Sequence, residues 1–274
     1  MTHSSQFQIH DRRISYRRLG QGSRKILFFH GFPGSSAQAL PFQKYLDEFD
    51  LEVVCIDRPG YSQTVLGLIE PFEQATEDIF LLLNELKWKN FEAVSVSGGT
   101  PYLFSILKKY SSLVHRVSII SGLGPIAQPD FREILPSTSL LSLFLLPLTP
   151  EILFQWLTKK PKLIRLFLKP APSDLAVLKK IENVKILETA LHEAFMQNGV
   201  GPKQDAKAFL SPWTIDSRIY PNDFQIWHGQ EDQIIPVKMA KKLAKTIPQA
   251  KLNIIPNEGH YSLAFNFIDN ILKG

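Results

Sequence analysis

Six short runs are mostly apolar: residues 25–29, 51–56, 91–96, 114–120, 224–227 and 251–255. Such runs are strand-sized, and strands without polar alternation are buried on both faces, as in a mostly parallel sheet covered by helices. Residues 13–19 alternate instead, which predicts an edge strand. Helical spacing appears between the runs. Residues 71–88 place Ile79, Leu82, Leu83 and Leu86 on one side, residues 101–110 read as a helix, and residues 239–247 read as another that begins just after Pro236.

The alternation of strand and helix stops between about Pro125 and Trp213. There the chain is Leu-, Phe- and Lys-rich, helical in pattern and punctuated by prolines, and the β pattern resumes at Phe224. The expected organisation is one α/β core in two parts, 1–124 and 214–274, interrupted by a helical insertion at 125–213. The chain carries no internal repeat and no low-complexity tract.

Composition narrows the function classes. The 274 residues are 44% hydrophobic, enough to bury a large core. The balance of 31 basic and 26 acidic residues gives +5, which is mild for this length. No basic block interleaves with aromatics in a nucleic-acid module, so a solvated, slightly basic surface is expected and no nucleic-acid partner. The single cysteine, Cys55, sits in the apolar run Val53-Val54-Cys55-Ile56 and reads as a buried, inert thiol. The residues from Met1 to Gln6 hold no apolar signal stretch, and the greasy segment from Leu140 to Leu148 is broken by Pro147 and too short to span a bilayer, which takes roughly 20 residues. A soluble, cytoplasmic protein without stable membrane insertion is expected.

Candidate chemistry lies at the ends of the apolar runs. Ser95-Val96-Ser97-Gly98-Gly99 follows one strand and precedes a helix. A serine on so sharp a turn is pushed out over the end of the sheet, and the crossing requires small residues two before and two after it. Gly99 meets that need, whereas Ser95 stands where a glycine is usual, so Ser95→Gly is expected to preserve activity. His30-Gly31-Phe32-Pro33-Gly34-Ser35 follows the 25–29 strand. The backbone N–H groups of Phe32 and Gly98 are candidates for an oxyanion hole, where losing one donor typically costs about 3–4 kcal/mol of transition-state stabilisation. His30 itself reads as a structural hydrogen-bonding residue. In Trp227-His228-Gly229-Gln230-Glu231-Asp232 the candidate acid is Asp232, with Glu231 and Asp223 as alternatives. Of seven histidines, only His260 follows a C-terminal strand in a glycine-containing loop, Asn257-Glu258-Gly259-His260. Ser97, Asp232 and His260 complete a Ser…Asp…His order.

With these motifs, together with Asp57-Arg58-Pro59-Gly60-Tyr61-Ser62, the chain resembles the α/β-hydrolase superfamily over almost its full length, in its serine-nucleophile, cap-containing branch. The resemblance implies a mostly parallel sheet of about eight strands flanked by helices, with the insertion at 125–213 as a helical cap. It implies a Ser97–His260–Asp232 triad forming an acyl-enzyme, with no metal and no organic cofactor, and a structural turn at Asp57. The substrate expected is a small-molecule carboxylic ester with an apolar group, as the Leu- and Phe-rich cap with Trp156 suggests. Two other readings stand beside it: a proline-iminopeptidase-like aminopeptidase, with Glu188 or Glu193 holding the free amine, and a ligand-binding receptor on the hydrolase scaffold. The cap's Lys159-Lys160-Pro161-Lys162, Arg165 and Lys169 read as a solvated helix face, with a membrane-surface patch beside Leu140 to Leu146 as the alternative.

Overall fold

A computed structural model describes residues 4–9, 12–67, 69–158, 170–216, 218 and 220–274, with side chains described for these apart from 155–158. The basic run expected at Lys159 to Lys169, and the side chain of Trp156, lie outside the described residues.

The apolar runs form β3 (Arg24–Phe29), β4 (Leu51–Ile56), β5 (Phe91–Val96), β6 (Val114–Ile120), β7 (Asp223–Gly229) and β8 (Ala250–Ile255), preceded by β1 (Ser5–Ile9) and β2 (Arg12–Gly20). All eight join one sheet in the order β1-β2-β4-β3-β5-β6-β7-β8. Pairing is antiparallel for β1–β2 and β2–β4 and parallel from β4 to β8. The strand expected at the edge, β2, is therefore interior. Its neighbour β1 is the edge, a five-residue polar strand whose weak alternation gives no sequence signal.

Helices α1 (Pro71–Glu85) and α2 (Thr100–Tyr110) lie among the strands of the first part of the chain. Between β6 and β7 the described elements are helical: α3 (Pro129–Arg132), α4 (Ser137–Leu145), α5 (Glu151–Thr158), α6 (Pro172–Lys179), α7 (Ile181–Phe195) and α8 (Val200–Leu210). The chain closes with α9 (Lys238–Thr246), α10 (His260–Asn266) and α11 (Ile268–Lys273). A long 3-10 segment, Ser36–Tyr45, follows β3.

The strand pleat distributes the core over two faces. Leu27, Phe29, Val54, Ile56, Val117 and Ile119 face α1, α2 and α9, where Leu82, Leu103 and Leu243 are fully buried. Ile26, Phe28, Val53, Cys55, Ile120 and Trp227 face the 3-10 segment, α10 and α11 through Phe42, Leu263 and Ile271. Burial holds the Cys55 thiol well above its ordinary range, so it stays protonated. A third cluster joins Tyr61 of the core to Phe154, Leu191 and Phe195 of the helical segment.

The greasy stretch after α3 is only half covered. Leu143 is buried, whereas Leu141, Phe144, Leu145 and Leu148 are exposed. Among the described residues no helix is long and apolar enough to cross a membrane.

Candidate active site

Strands β3 to β8 that run parallel end on one edge of the sheet, and the candidate residues follow those ends. Ser97 comes directly after β5, in the left-handed region at φ 52. A non-glycine residue there costs roughly 1 kcal/mol or more and persists only where surroundings enforce it. They do so here. The Ser97 carbonyl accepts Leu123 N–H at 3.2 Å. A Cβ on Gly99 would lie 2.4 Å from the Phe29 carbonyl oxygen, so only glycine allows the turn to cross beneath β3. The side chain of Ser95 has room: its hydroxyl lies 3.3 Å from Thr100 Oγ1 at the start of α2. Ser95→Gly should thus retain activity and lose about 1 kcal/mol with that hydrogen bond, read by denaturant unfolding.

The loop after β3 reaches the same place. A Cβ on Gly31 would meet Ser97 Cβ at 3.4 Å, and one on Gly98 would meet Phe32 Cβ at 2.6 Å. Phe32 and Gly98 are thus adjacent, beside the nucleophile candidate. Phe32 N–H has no acceptor among the described residues. Gly98 N–H lies in the 3-10 turn Ser97–Gly99, where first-turn amides have no partner within the turn. The loop is held from behind. Gly31 N–H donates to Gln38 Oε1 at 2.7 Å, and the Arg58 guanidinium donates to the carbonyls of His30 and Gly31 at 2.6 and 3.2 Å. His30 is fully buried, and burial, then the charge of Arg58, pushes its imidazole well below the ordinary value.

Arg58 is in turn fixed by Asp205 of α8. Nε and one terminal nitrogen donate to Asp205 Oδ2 at 2.9 and 2.6 Å, and the hydroxyls of Tyr61 and Tyr102 donate to the same carboxylate. Asp205→Ala would leave a buried guanidinium unpaired, a change that costs about 3–5 kcal/mol. The expected result is a large fall in urea midpoint, with Asp205→Asn milder because it keeps an acceptor for one tyrosine.

Asp57 is fully buried away from this centre. It accepts the Ser15 hydroxyl at 2.8 Å and Ser36 N–H at 2.5 Å, which ties β2 to the segment after β3. Burial raises its carboxyl to about 6.

Of the three acids weighed, Glu231 and Asp223 are exposed, and Asp232 is buried. Its Oδ1 accepts the N–H groups of Ile234 and Ile235, each at 2.9 Å. Its Oδ2 lies 2.7 Å from His260 Nδ1. Backbone bonds from Gln230 N–H to Ile255 O and from Glu231 N–H to Glu258 O, both 2.9 Å, zip the two loops in register. Burial pushes the Asp232 carboxyl up, but His260 beside it reverses the sign and leaves it below the ordinary range. Burial likewise lowers His260, and the charge and hydrogen bond of Asp232, with the charge of Asp174, more than offset it and leave the imidazole raised above 6.5. His228 Nε2 lies 2.8 Å from the Ile235 carbonyl and, lowered by burial, is a neutral donor there.

Sequence reasoning missed Arg58 as a support, although it lies within the Asp57–Ser62 motif. It also missed Gln38, Asp205 and Asp174, which carry no local signature; Asp205 and Asp174 act at loops distant in sequence.

Comparison with known proteins identifies the family and the fold. Residues 25–267 match the alpha/beta hydrolase fold family, and the chain belongs to it. The chain is 24% identical over 267 residues to monoacylglycerol lipase ABHD6 of Mus musculus, covering 91% of this chain and 74% of that protein. Its fold is similar to that of a bromoperoxidase from Bacillus anthracis, with a TM-score of 0.74, 20% identity and 99% of each chain covered. It is also similar to that of a thermophilic esterase from Thermogutta terrifontis, with a TM-score of 0.68, 17% identity, and 99% and 96% of the two chains covered.

Proposed function

We propose that the protein is a serine hydrolase that cleaves a small carboxylic ester with an apolar group, through an acyl-enzyme. The observation that carries this reading is the buried 2.7 Å bond between His260 Nδ1 and Asp232, on the sheet edge where Ser97 is held at φ 52. With Nδ1–H donated to Asp232, the other ring nitrogen of His260 is a free base. It takes the proton of Ser97 as Oγ attacks the ester carbonyl, and the Phe32 and Gly98 amides receive the oxyanion. Collapse expels the alcohol, which leaves with the proton from His260. Water then attacks the acyl-enzyme by the same route and releases the acid.

The helical segment between β6 and β7 acts as the cap. Phe209 of α8 supports an apolar preference, since its ring packs edge-on against Phe32 at 5.2 Å and its tip would lie 3.0 Å from a Cβ on Gly98. The names of lipase and esterase relatives agree with an ester. The aminopeptidase reading loses one of its two acids: Glu193 is engaged by Arg17, at 2.6 Å, and by the Ser35 hydroxyl, at 2.5 Å.

The decisive experiment is a panel of p-nitrophenyl esters of rising acyl length beside proline anilides. Ester turnover that improves with apolar chain length supports the proposal, and anilide turnover without ester hydrolysis defeats it. Because His260 must be neutral to act and its imidazole is raised, kcat/KM should be full at high pH. It should be lost as pH falls through an ionisation above 6.5, the ordinary imidazole value. A flat profile from pH 5 to 8 would contradict the role of His260.

A further inference from the structure

We propose that Asp174, on α6 of the helical segment, is a positioning residue for His260, fixing the backbone on both sides of the base and setting a second carboxylate beside its loop. The inference rests on His260 as the base.

Asp174 is a buried carboxylate on the far side of the fold's connectivity from the residues it holds. Its Oδ1 accepts Tyr261 N–H at 2.9 Å and Ser262 N–H at 2.8 Å, the two amides that follow His260. Its Oδ2 accepts Ala171 N–H at 3.0 Å, which anchors the carboxylate to its own helix. Gly259, immediately before His260, lies flat against it: a Cβ there would sit 2.5 Å from Oδ1 and 2.6 Å from Oδ2. The opposite side of the loop is equally tight, since a Cβ on Gly229 would lie 2.4 Å from the Glu258 carbonyl oxygen and 2.5 Å from that of Gly259. The base's loop is gripped between the end of β7 and one carboxylate of the helical segment.

The partners of Asp174 are backbone amides, and among the described residues it has no ion pair with a cation. The other titratable groups facing His260 are Asp232 and, beside it, His228 from β7, together with the adjacent Tyr261, whose ring stands edge-on at 5.5 Å. Burial keeps the Tyr261 phenol protonated and the His228 imidazole neutral. Among the described residues, the buried carboxylates bonded to His260 or to the backbone that follows it are those of Asp232 and Asp174. Asp174 gives the helical segment a direct hold on the protonation of the base, beyond any role in covering substrate.

Two substitutions separate geometry from charge. Asp174→Asn keeps an oxygen for the Tyr261 and Ser262 amides and removes the charge. Asp174→Ala removes both. The His260 Cε1–H resonance, assigned by its loss in His260→Ala, is titrated by NMR in the intact protein. In Asp174→Asn it should titrate at lower pH than in the wild type, and the acid limb of kcat/KM should move with it. Asp174→Ala should lower kcat by about tenfold to a hundredfold, as expected for a displaced base, with KM changed little and Asp174→Asn recovering much of the loss. An unchanged His260 titration in Asp174→Asn overturns the inference, and this test stands if Asp174→Ala does not fold. Full ester turnover by His260→Ala instead overturns the assignment of the base, an outcome the NMR titration does not share.

Discussion

Ser97→Ala is expected to lower kcat for ester hydrolysis by about 10⁶-fold, the scale seen when a nucleophile that works as a unit with its base is removed. The residue offers nothing else that could mask the effect. Ser97 is nearly buried, and its side chain takes part in no structural hydrogen bond among the described residues. Alanine at φ 52 is no less strained than serine, so the unfolding midpoint should move little. The Phe32 and Gly98 amides remain in place, as does the aromatic wall at Phe209, so KM for a slow substrate should stay close to the wild-type value. A fluorescent phosphonate should label the wild type at one site and leave Ser97→Ala unlabelled. Retained labelling together with retained p-nitrophenyl ester turnover would assign the nucleophile elsewhere.

The parts of this centre that the sequence reveals are those encoded by neighbours in the chain. Each parallel strand is rich in apolar residues, and the motif residues follow within a few positions of its end, so the strands near Phe29, Val96, Trp227 and Ile255 could be placed from pattern alone. Ser95 looked like a flaw in the turn, yet the space beside it accommodates the hydroxyl and Thr100 satisfies it. The edge strand β1 escaped because its hydrogen bonds to β2 stabilise it, with little apolar burial to mark the sequence. The supports escaped for a different reason. Asp205 lies 147 residues from Arg58 and Asp174 lies 87 from Tyr261, and a buried carboxylate on a helix has no distinctive local spacing. Both come from the helical segment, and each secures a different working loop: Asp205 holds the Phe32 loop through Arg58, and Asp174 holds the His260 loop directly. The segment least informative in sequence is thus the one that secures both the Phe32 loop and the His260 loop.

Asp232→Asn should be nearly silent in stability and severe in catalysis, with kcat lower by about 10⁴-fold. The hydrogen bonds around the carboxylate dictate how asparagine sits. Oδ1 accepts two backbone amides, from Ile234 and Ile235, so the amide oxygen must take that position. The NH₂ group then occupies the place of Oδ2, facing His260 Nδ1 at 2.7 Å. A donor facing Nδ1 forces that nitrogen to accept, and the ring proton moves to the nitrogen that must receive the Ser97 proton. The imidazole stays in position but in the wrong tautomer, and it also loses the charge that stabilises its protonated form. Tyr261 and Ser262 remain held by Asp174, and the zipped backbone from Gln230 to Glu258 is untouched, so the loops should keep their places. A variant with wild-type turnover at pH 7 would exclude Asp232 as the acid.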